Sequence, residues 1–240
     1  MPDKTVLITG ANRGQVLNYR LIGRELTRLY LEKGWRVVAA ARDPTKVAQE
    51  GKVVIIKIDS SSPTDAQEAV EELKSKHNIT HLDVVIANAA VAPTPSLLAS
   101  ASISELSTGL ITNVSGPLAL YQATRPLLSD EDAFVVITST VGSVFGEWMP
   151  YLGAYGATKT ALNFLVRGIH IEEPKLKVFA VNPGWVNTDM GNAGAALAGL
   201  GAPPDKLSDT VPGMITVIDE ATKEKSSGLL WNHDGTRISF

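Results

Sequence analysis

Six short apolar runs, alternating with longer helical patterns, leave this chain very few folds to choose from. Thr5–Thr9, Arg36–Ala41, residues 53–58, Val84–Ala87, residues 134–138 and residues 178–181 are rich in valine and isoleucine. A seventh run, residues 228–231, is fainter. Most are continuously apolar rather than alternating, which is the pattern of parallel strands buried on both faces. Helical patterns over residues 22–33, 64–76, 103–128, 155–170 and 212–219 separate them. Ser62 or Thr64 is placed to cap the second helix, with Glu68 and Glu71 in its first turns. Repeated strand–helix–strand order predicts an α/β fold, a three-layer doubly wound parallel sheet of about seven strands with right-handed crossovers.

Such Rossmann-type sheets bind ligands at the carboxyl ends of their strands, at the topological switch point. No repeat or linker divides the 240 residues, so one domain is expected. A net charge of −3 with no basic run argues against nucleic-acid or anionic-membrane partners. Zero cysteines exclude thiolate catalysis and cysteine metal sites, and fit a reducing compartment. The first residues enter a strand directly, without a secretory pattern, and no apolar run nears the roughly 18 residues of a membrane span. A cytoplasmic location follows as an expectation. His77 and His81 stand at i, i+4 but show no acidic ligand on the same face, and with His170 and His233 they read as surface histidines, so no metal site is expected. The Gly142–Gly146 stretch lacks the spacing of a serine-hydrolase elbow.

Two local patterns carry chemistry. The first strand runs into Thr9-Gly10-Ala11-Asn12-Arg13-Gly14, a turn whose glycines let backbone approach a pyrophosphate at a helix N-terminus. Where the second strand ends, an NAD site would place an acidic residue, but here Ala41 is followed by Arg42. Arg42 and Arg13 near the adenosine ribose favour a 2′-phosphate, hence NADP(H). Tyr155 and Lys159 share one helix face at i, i+4. A lysine cation there is expected to lower the phenol pKa, readying Tyr155 to protonate a carbonyl oxygen. Asn113 lies four residues before Pro117, which has no N–H for the residue 113 carbonyl, so a kink is predicted inside 103–128. Residues 191–204 are almost all Gly, Ala, Leu and Pro. They read as a floppy surface loop or, within 189–211, as a mobile substrate lid.

In this order the motifs resemble the short-chain dehydrogenase/reductase family, in its single-domain branch. The likeness covers nearly the whole chain and looks closest to carbonyl reductases of the norsolorinic acid ketoreductase type, enzymes of secondary metabolism. In the family turn, Gly14 would be followed by one residue and a glycine. Here Gln15-Val16 follows, and the expected pair appears later as Ile22-Gly23. Residues 15–21 therefore look like an insertion. It could extend the helix by two turns, loop out, or reflect a gene-model or splicing artefact. The resemblance implies that Gly10, Arg13, Gly14, Ile22, Gly23, Arg42, Asp59, Asn88, Tyr155, Lys159, Val186 and Thr188 bind the cofactor. Asp59 would meet the adenine, Lys159 the nicotinamide ribose, and Val186 and Thr188 the carboxamide. It makes Thr140 the hydroxyl that polarises the carbonyl, with Ser139 the second candidate, and gives Asn113 a water in the proton relay. Thr140 lies 15 residues before Tyr155, a longer interval than is usual in the family, the extra length falling in residues 146–153. Trp148 and Met149 are candidates for an aromatic pocket wall, and Ser143 for a substrate contact. The activity implied is NADPH-dependent reduction of a ketone or aldehyde, aromatic or polyketide in kind, by a homo-oligomer (dimer or tetramer). A non-catalytic relative acting as a binding or scaffold protein is the alternative that the insertion raises.

Overall fold

A computed structural model describes residues 4–11, 22–146, 149–197 and 199–240. Their strands form one sheet in the order β3-β2-β1-β4-β5-β6-β7-β8. The strands are β1 (Thr5–Thr9), β2 (Arg36–Ala41), β3 (Val53–Lys57), β4 (Val84–Ala87), β5 (Ala133–Ile137), β6 (Lys177–Asn182), β7 (Leu230–Asn232) and β8 (Arg237–Ile238). Neighbours from β3 through β7 pair parallel, and β8 pairs antiparallel with β7. The sheet is thus doubly wound as expected, with an eighth strand at the edge. Two residues are too short a run to leave a hydropathy signal.

Side-chain alternation divides the core into two layers. Leu7, Val38, Val85 and Phe134 point to one face and pack with α2 (Asp65–His77), α4 (Gly116–Thr124) and α5 (Gly153–Glu172). Val6, Ile8, Val37 and Val135 point to the other and pack with α1 (Ile22–Glu32) and α7 (Leu207–Asp219). In that layer Leu26 and Tyr30 of α1 are fully buried, Leu26 contributing roughly 1.5–3 kcal/mol of transfer free energy. The switch point falls between β1 and β4, so the ends of these strands open toward one crevice.

Three helices differ from the sequence pattern. The stretch 103–128 is α3 (Ile103–Leu110), a π turn at Ile111–Ser115, α4 and a short 3₁₀ turn. The predicted kink is this π turn: Gly116 N–H bonds to Ile111 O, and Pro117 has no N–H to offer Asn113. A Cβ on Gly116 would lie 2.4 Å from Ser60 O, so only glycine lets the helix cross there. The helix expected from Pro212 begins at Leu207 and carries the proline inside it. Residues Asp189–Leu197 of the low-complexity stretch are helical and form α6. The last helix, α8, is Lys223–Ser226. On α2, Thr64 occupies the N-cap position without a side-chain bond, while Ser62 Oγ accepts from the Asp65 and Thr64 amides.

Candidate active site

The cofactor crevice starts at the end of β1. Thr9 Oγ1 accepts from the amides of Asn88 and Ala89 at 3.0 and 3.1 Å, and Asn88 Nδ2 donates to Thr9 O at 2.8 Å. Asn88 thus ties β1 to β4 at the switch point. Gly10 follows with φ of +68°, a left-handed conformation that glycine adopts without strain. A Cβ on Gly23 would lie 2.3 Å from Gly10 O and 2.6 Å from Asn88 Nδ2. The first turn of α1, opened by Ile22 and Gly23, therefore rests directly on Gly10. A close approach of bare backbone of this kind is what a pyrophosphate-binding turn needs. Arg13, Gly14 and the insertion at residues 15–21 lie outside the described residues.

At the end of β2, Ala41 is buried and Arg42 exposed. Asp59, past β3, accepts from Ser61 N and Oγ. Burial would raise its carboxyl pKa, but the Ser61 hydrogen bonds and the Arg42 charge outweigh that and hold it below the usual range. Arg42 and Asp59 therefore stand on one side of the crevice. Ala41 is apolar, and Arg42 beside it is a cation able to pair with a phosphorylated ribose.

On α5, Tyr155 is half-buried and Lys159 almost wholly buried. Lys159 Nζ donates to Ile137 O at 2.8 Å and stands 5.6 Å from the Tyr155 ring centroid. Burial pushes the lysine down to about 7 and the tyrosine phenol up. The expected lowering of the phenol is thus not found. The ammonium bonds to a carbonyl at the end of β5, and desolvation dominates both groups.

The Thr140–Gly142 turn after β5 packs onto the same helix. A Cβ on Gly142 would lie 2.7 Å from Lys159 Cβ, and one on Gly156 would lie 2.7 Å from Val141 O. Ser139 Oγ accepts from Val141 N and caps this turn. Thr140 is exposed, and its hydroxyl bonds to none of the described residues. Asn113 is fully buried. Its Nδ2 donates to Val91 O and Thr158 Oγ1, and its Oδ1 accepts from Val91 N. It locks the loop after β4 to α5.

Past β6, Gly184 has φ of +78°. Asp205 Oδ2 accepts from Trp185 N at 2.5 Å, Asp205 N donates to Trp185 O, and Val186 bridges Asp205 in parallel. Val186 is buried. Thr188 Oγ1 accepts from Gly191 N at 3.0 Å in the first turn of α6. A groove of about 310 Å³ lies between Asn187, Asn192, Ala196, Leu200 and Gly201. Ser96 N donates to Tyr151 O, Tyr151 adopts φ of +69°, and Leu97, Leu98, Val144, Phe145 and Tyr151 are exposed. Ser143 and Met149 fall in the loop after β5, while Trp148 lies outside the described residues.

The sequence pattern gave no sign of Asp205, which lies about twenty residues from its partner Trp185. His77 and His81 also differ from expectation. His77 Nε2 is 4.0 Å from Glu72, and His81 Nε2 is 3.9 Å from Asp83 and 3.6 Å from Asp132, since the fold brings the starts of β4 and β5 together. Among the described residues no helix is long and apolar enough to cross a membrane.

Residues 4–196 match the short chain dehydrogenase family. The norsolorinic acid ketoreductase of Aspergillus parasiticus is 37% identical, covering 100% of this chain and 92% of that protein. A norsolorinic acid ketoreductase of Dothistroma septosporum is 38% identical over 98% of this chain and 92% of its own. Among solved structures, the NADPH-bound carbonyl reductase from chicken fatty liver has a TM-score of 0.80 at 25% identity, covering 100% of both chains. The carbonyl reductase Sniffer of D. melanogaster has a TM-score of 0.86 at 22% identity, covering 99% of this chain and 100% of its own.

Proposed function

This chain belongs to the short chain dehydrogenase family, and from that premise we propose that it is an NADPH-dependent ketoreductase acting on an aromatic, polyketide-like ketone. A single domain does this work, with residues 189–211 covering the substrate side. The observation that carries the reading is the packing of the Thr140–Gly142 turn onto α5 beside Tyr155 and Lys159. That packing supports reading Thr140 as the hydroxyl donor and Tyr155 as the phenol of one site.

Gly10, Ile22, Gly23 and Asn88 form the backbone cradle for the pyrophosphate, and Arg13 and Gly14 are assigned to cofactor binding from the sequence alone. Arg42 pairs with the 2′-phosphate, Asp59 flanks the adenine, and Val186 and Thr188 orient the carboxamide. When bound, the reduced dinucleotide supplies the hydride. Tyr155 gives its phenolic proton to the carbonyl oxygen, completing the alcohol. Its raised pKa keeps that proton in place at neutral pH. Thr140 donates a hydrogen bond to the same oxygen and polarises the bond beforehand. Ser139 is committed to capping the turn and serves Thr140 indirectly. Lys159, poised near neutrality, can hold or release a proton on the inner side of the phenol. The Asn113 carbonyl, freed by Pro117, is an acceptor for a relay water.

For the substrate, the support is twofold. The similar ketoreductases act, by name, on norsolorinic acid. The exposed rim of Leu97, Leu98, Phe145 and Tyr151 offers apolar surface to a flat ring system. The test is NADPH consumption with a panel of aromatic and aliphatic ketones, for the parent and Tyr155→Phe. Turnover of aromatic ketones, lost in Tyr155→Phe with NADPH binding retained, supports the reading. Near-parental kcat in Tyr155→Phe would remove the proton-donor assignment. A parent that binds NADPH poorly and reduces nothing would be a binding protein instead.

A further inference from the structure

Strand pairing between β5 and β6 stops one rung short of the catalytic turn. The ladder runs to Ile137 opposite Val181, and Thr138 N donates to Val181 O at 2.9 Å. The next inward-facing amide is that of Thr140. Its ladder acceptor would be the carbonyl of residue 183, but there the chain leaves the sheet through Pro183 and Gly184, the latter at φ of +78°. Asn182 fills the gap with its side chain: Thr140 N donates to Asn182 Oδ1 at 3.3 Å.

The carboxamide is held at both ends. Asn182 is only 4% exposed. Its Nδ2 donates to Asn232 Oδ1 at 2.7 Å, and its main-chain carbonyl accepts from His233 N at 3.0 Å. Asn232 is itself fixed, donating from N to Thr236 O and from Nδ2 to Thr236 Oγ1. The β7–β8 connection thus decides which end of the Asn182 amide faces Thr140. Asparagine supplies both functions at once, whereas aspartate lacks the donor and serine lacks the reach.

We propose that Asn182 is a positioning residue for carbonyl reduction, setting the Thr140 hydroxyl by holding the Thr140 main-chain amide. This rests on reading Thr140 as the group that polarises the carbonyl. A polarising donor must sit within a few tenths of an ångström of its working place, and a misplacement of about 1 Å can lower the rate roughly 100-fold. Asn182 contributes no atom to the reaction; it acts through the turn.

A double-mutant cycle measures this. Asn182→Ala should lower kcat roughly 10- to 100-fold, with the KM for NADPH nearly unchanged. In a Thr140→Val background, which keeps the shape and removes the hydroxyl, Asn182→Ala should cause no further fall. Asn232→Ala leaves the Thr140 bond in place and removes only its lock, so it should show a smaller kcat loss that also vanishes in Thr140→Val. It carries the test alone if Asn182→Ala does not fold. Losses that multiply independently in the two backgrounds would mean general structural damage and overturn the proposal. Parental kcat in Asn182→Ala, with Thr140→Val inactive, overturns the positioning role alone. Parental kcat in Thr140→Val removes the premise about Thr140, and the proposal with it.

Discussion

Replacing Gly23 by alanine tests the cofactor cradle at its tightest point. The new Cβ would stand 2.3 Å from Gly10 O and 2.6 Å from Asn88 Nδ2. A carbon–oxygen contact relaxes at about 3.3 Å, so α1 and the Gly10 turn must part by roughly 1 Å. Both contact atoms are held: Gly10 by its left-handed turn, and Asn88 by its bond to Thr9 O. Overpacking of this kind destabilises by about 1–3 kcal/mol. The effect on NADPH should exceed that on the fold. Amide-to-phosphate bonds near 2.9 Å, stretched by about 1 Å, pass beyond hydrogen-bonding range. Losing two charge-assisted bonds at about 1.5 kcal/mol each weakens binding by about 3 kcal/mol, roughly 100-fold in Kd. The assay is NADPH titration by fluorescence beside thermal unfolding. Gly168→Ala is the control, because its Cβ meets nothing within 4 Å on the C-terminal part of α5. It should stabilise by about 0.5–1 kcal/mol and leave Kd unchanged. A Gly23→Ala variant with parental Kd would refute the claim that the first turn of α1 carries the phosphates.

Three further outcomes are expected. Arg42→Ala should weaken NADPH roughly 10- to 100-fold while leaving NADH alone; equal kcat/KM for the two cofactors in the parent would contradict the 2′-phosphate role. Lys159 has its pKa lowered from 10.5 to about 7, so between those values the unfolded chain holds the extra proton and stability rises with pH. Urea midpoints of the parent should climb from about pH 7 to about pH 9, and the climb should be missing in Lys159→Met; parallel profiles would argue against a buried, neutral lysine. Deleting residues 15–21 should preserve the circular dichroism spectrum and tighten NADPH binding, and a folded deletion variant that binds more weakly would make the segment part of the site.

Most of the fold could be read from the sequence because buried parallel strands need no partner context to show themselves. Val84–Ala87 and Arg36–Ala41 are apolar on both faces, and their limits were legible to the residue. The two-residue β8 depends wholly on its pairing with β7. In α6, glycine and alanine read as a loop, although Thr188 supplies a cap and Trp185 Nε1 donates to Gly191 O across the first turn. Pro212 looked like a helix start, yet α7 absorbs it because its Val211 and Met214 stripe is fully buried. Tyr155 and Lys159 share one helix, as their spacing predicts. Their electrostatics could not be read from that spacing, since burial pushes both pKa values away from the direction a bare ion pair would give. Asn182 and Asp205 act through partners distant in sequence, and only the assembled sheet brings those partners together.

The closure at Asp205 bears on how such a protein can change over generations. Trp185 and Val186 on one side and Asp205 on the other are joined by the carboxylate, an amide and a bridge. Whatever the chain does between them, it leaves and returns at one fixed doorway. Just inside it, Thr188 caps α6, and a Cβ on Gly191 would lie 2.1 Å from Val186 O, so these two positions stay fixed. The stretch beyond them can be exchanged like a cassette: lengthened, shortened or recoloured in its side chains without disturbing the strand ends beneath. In the proposed enzyme, new substrate preferences can be tried there by natural variation or by grafting, while Tyr155 and Lys159 on α5 stay as they were.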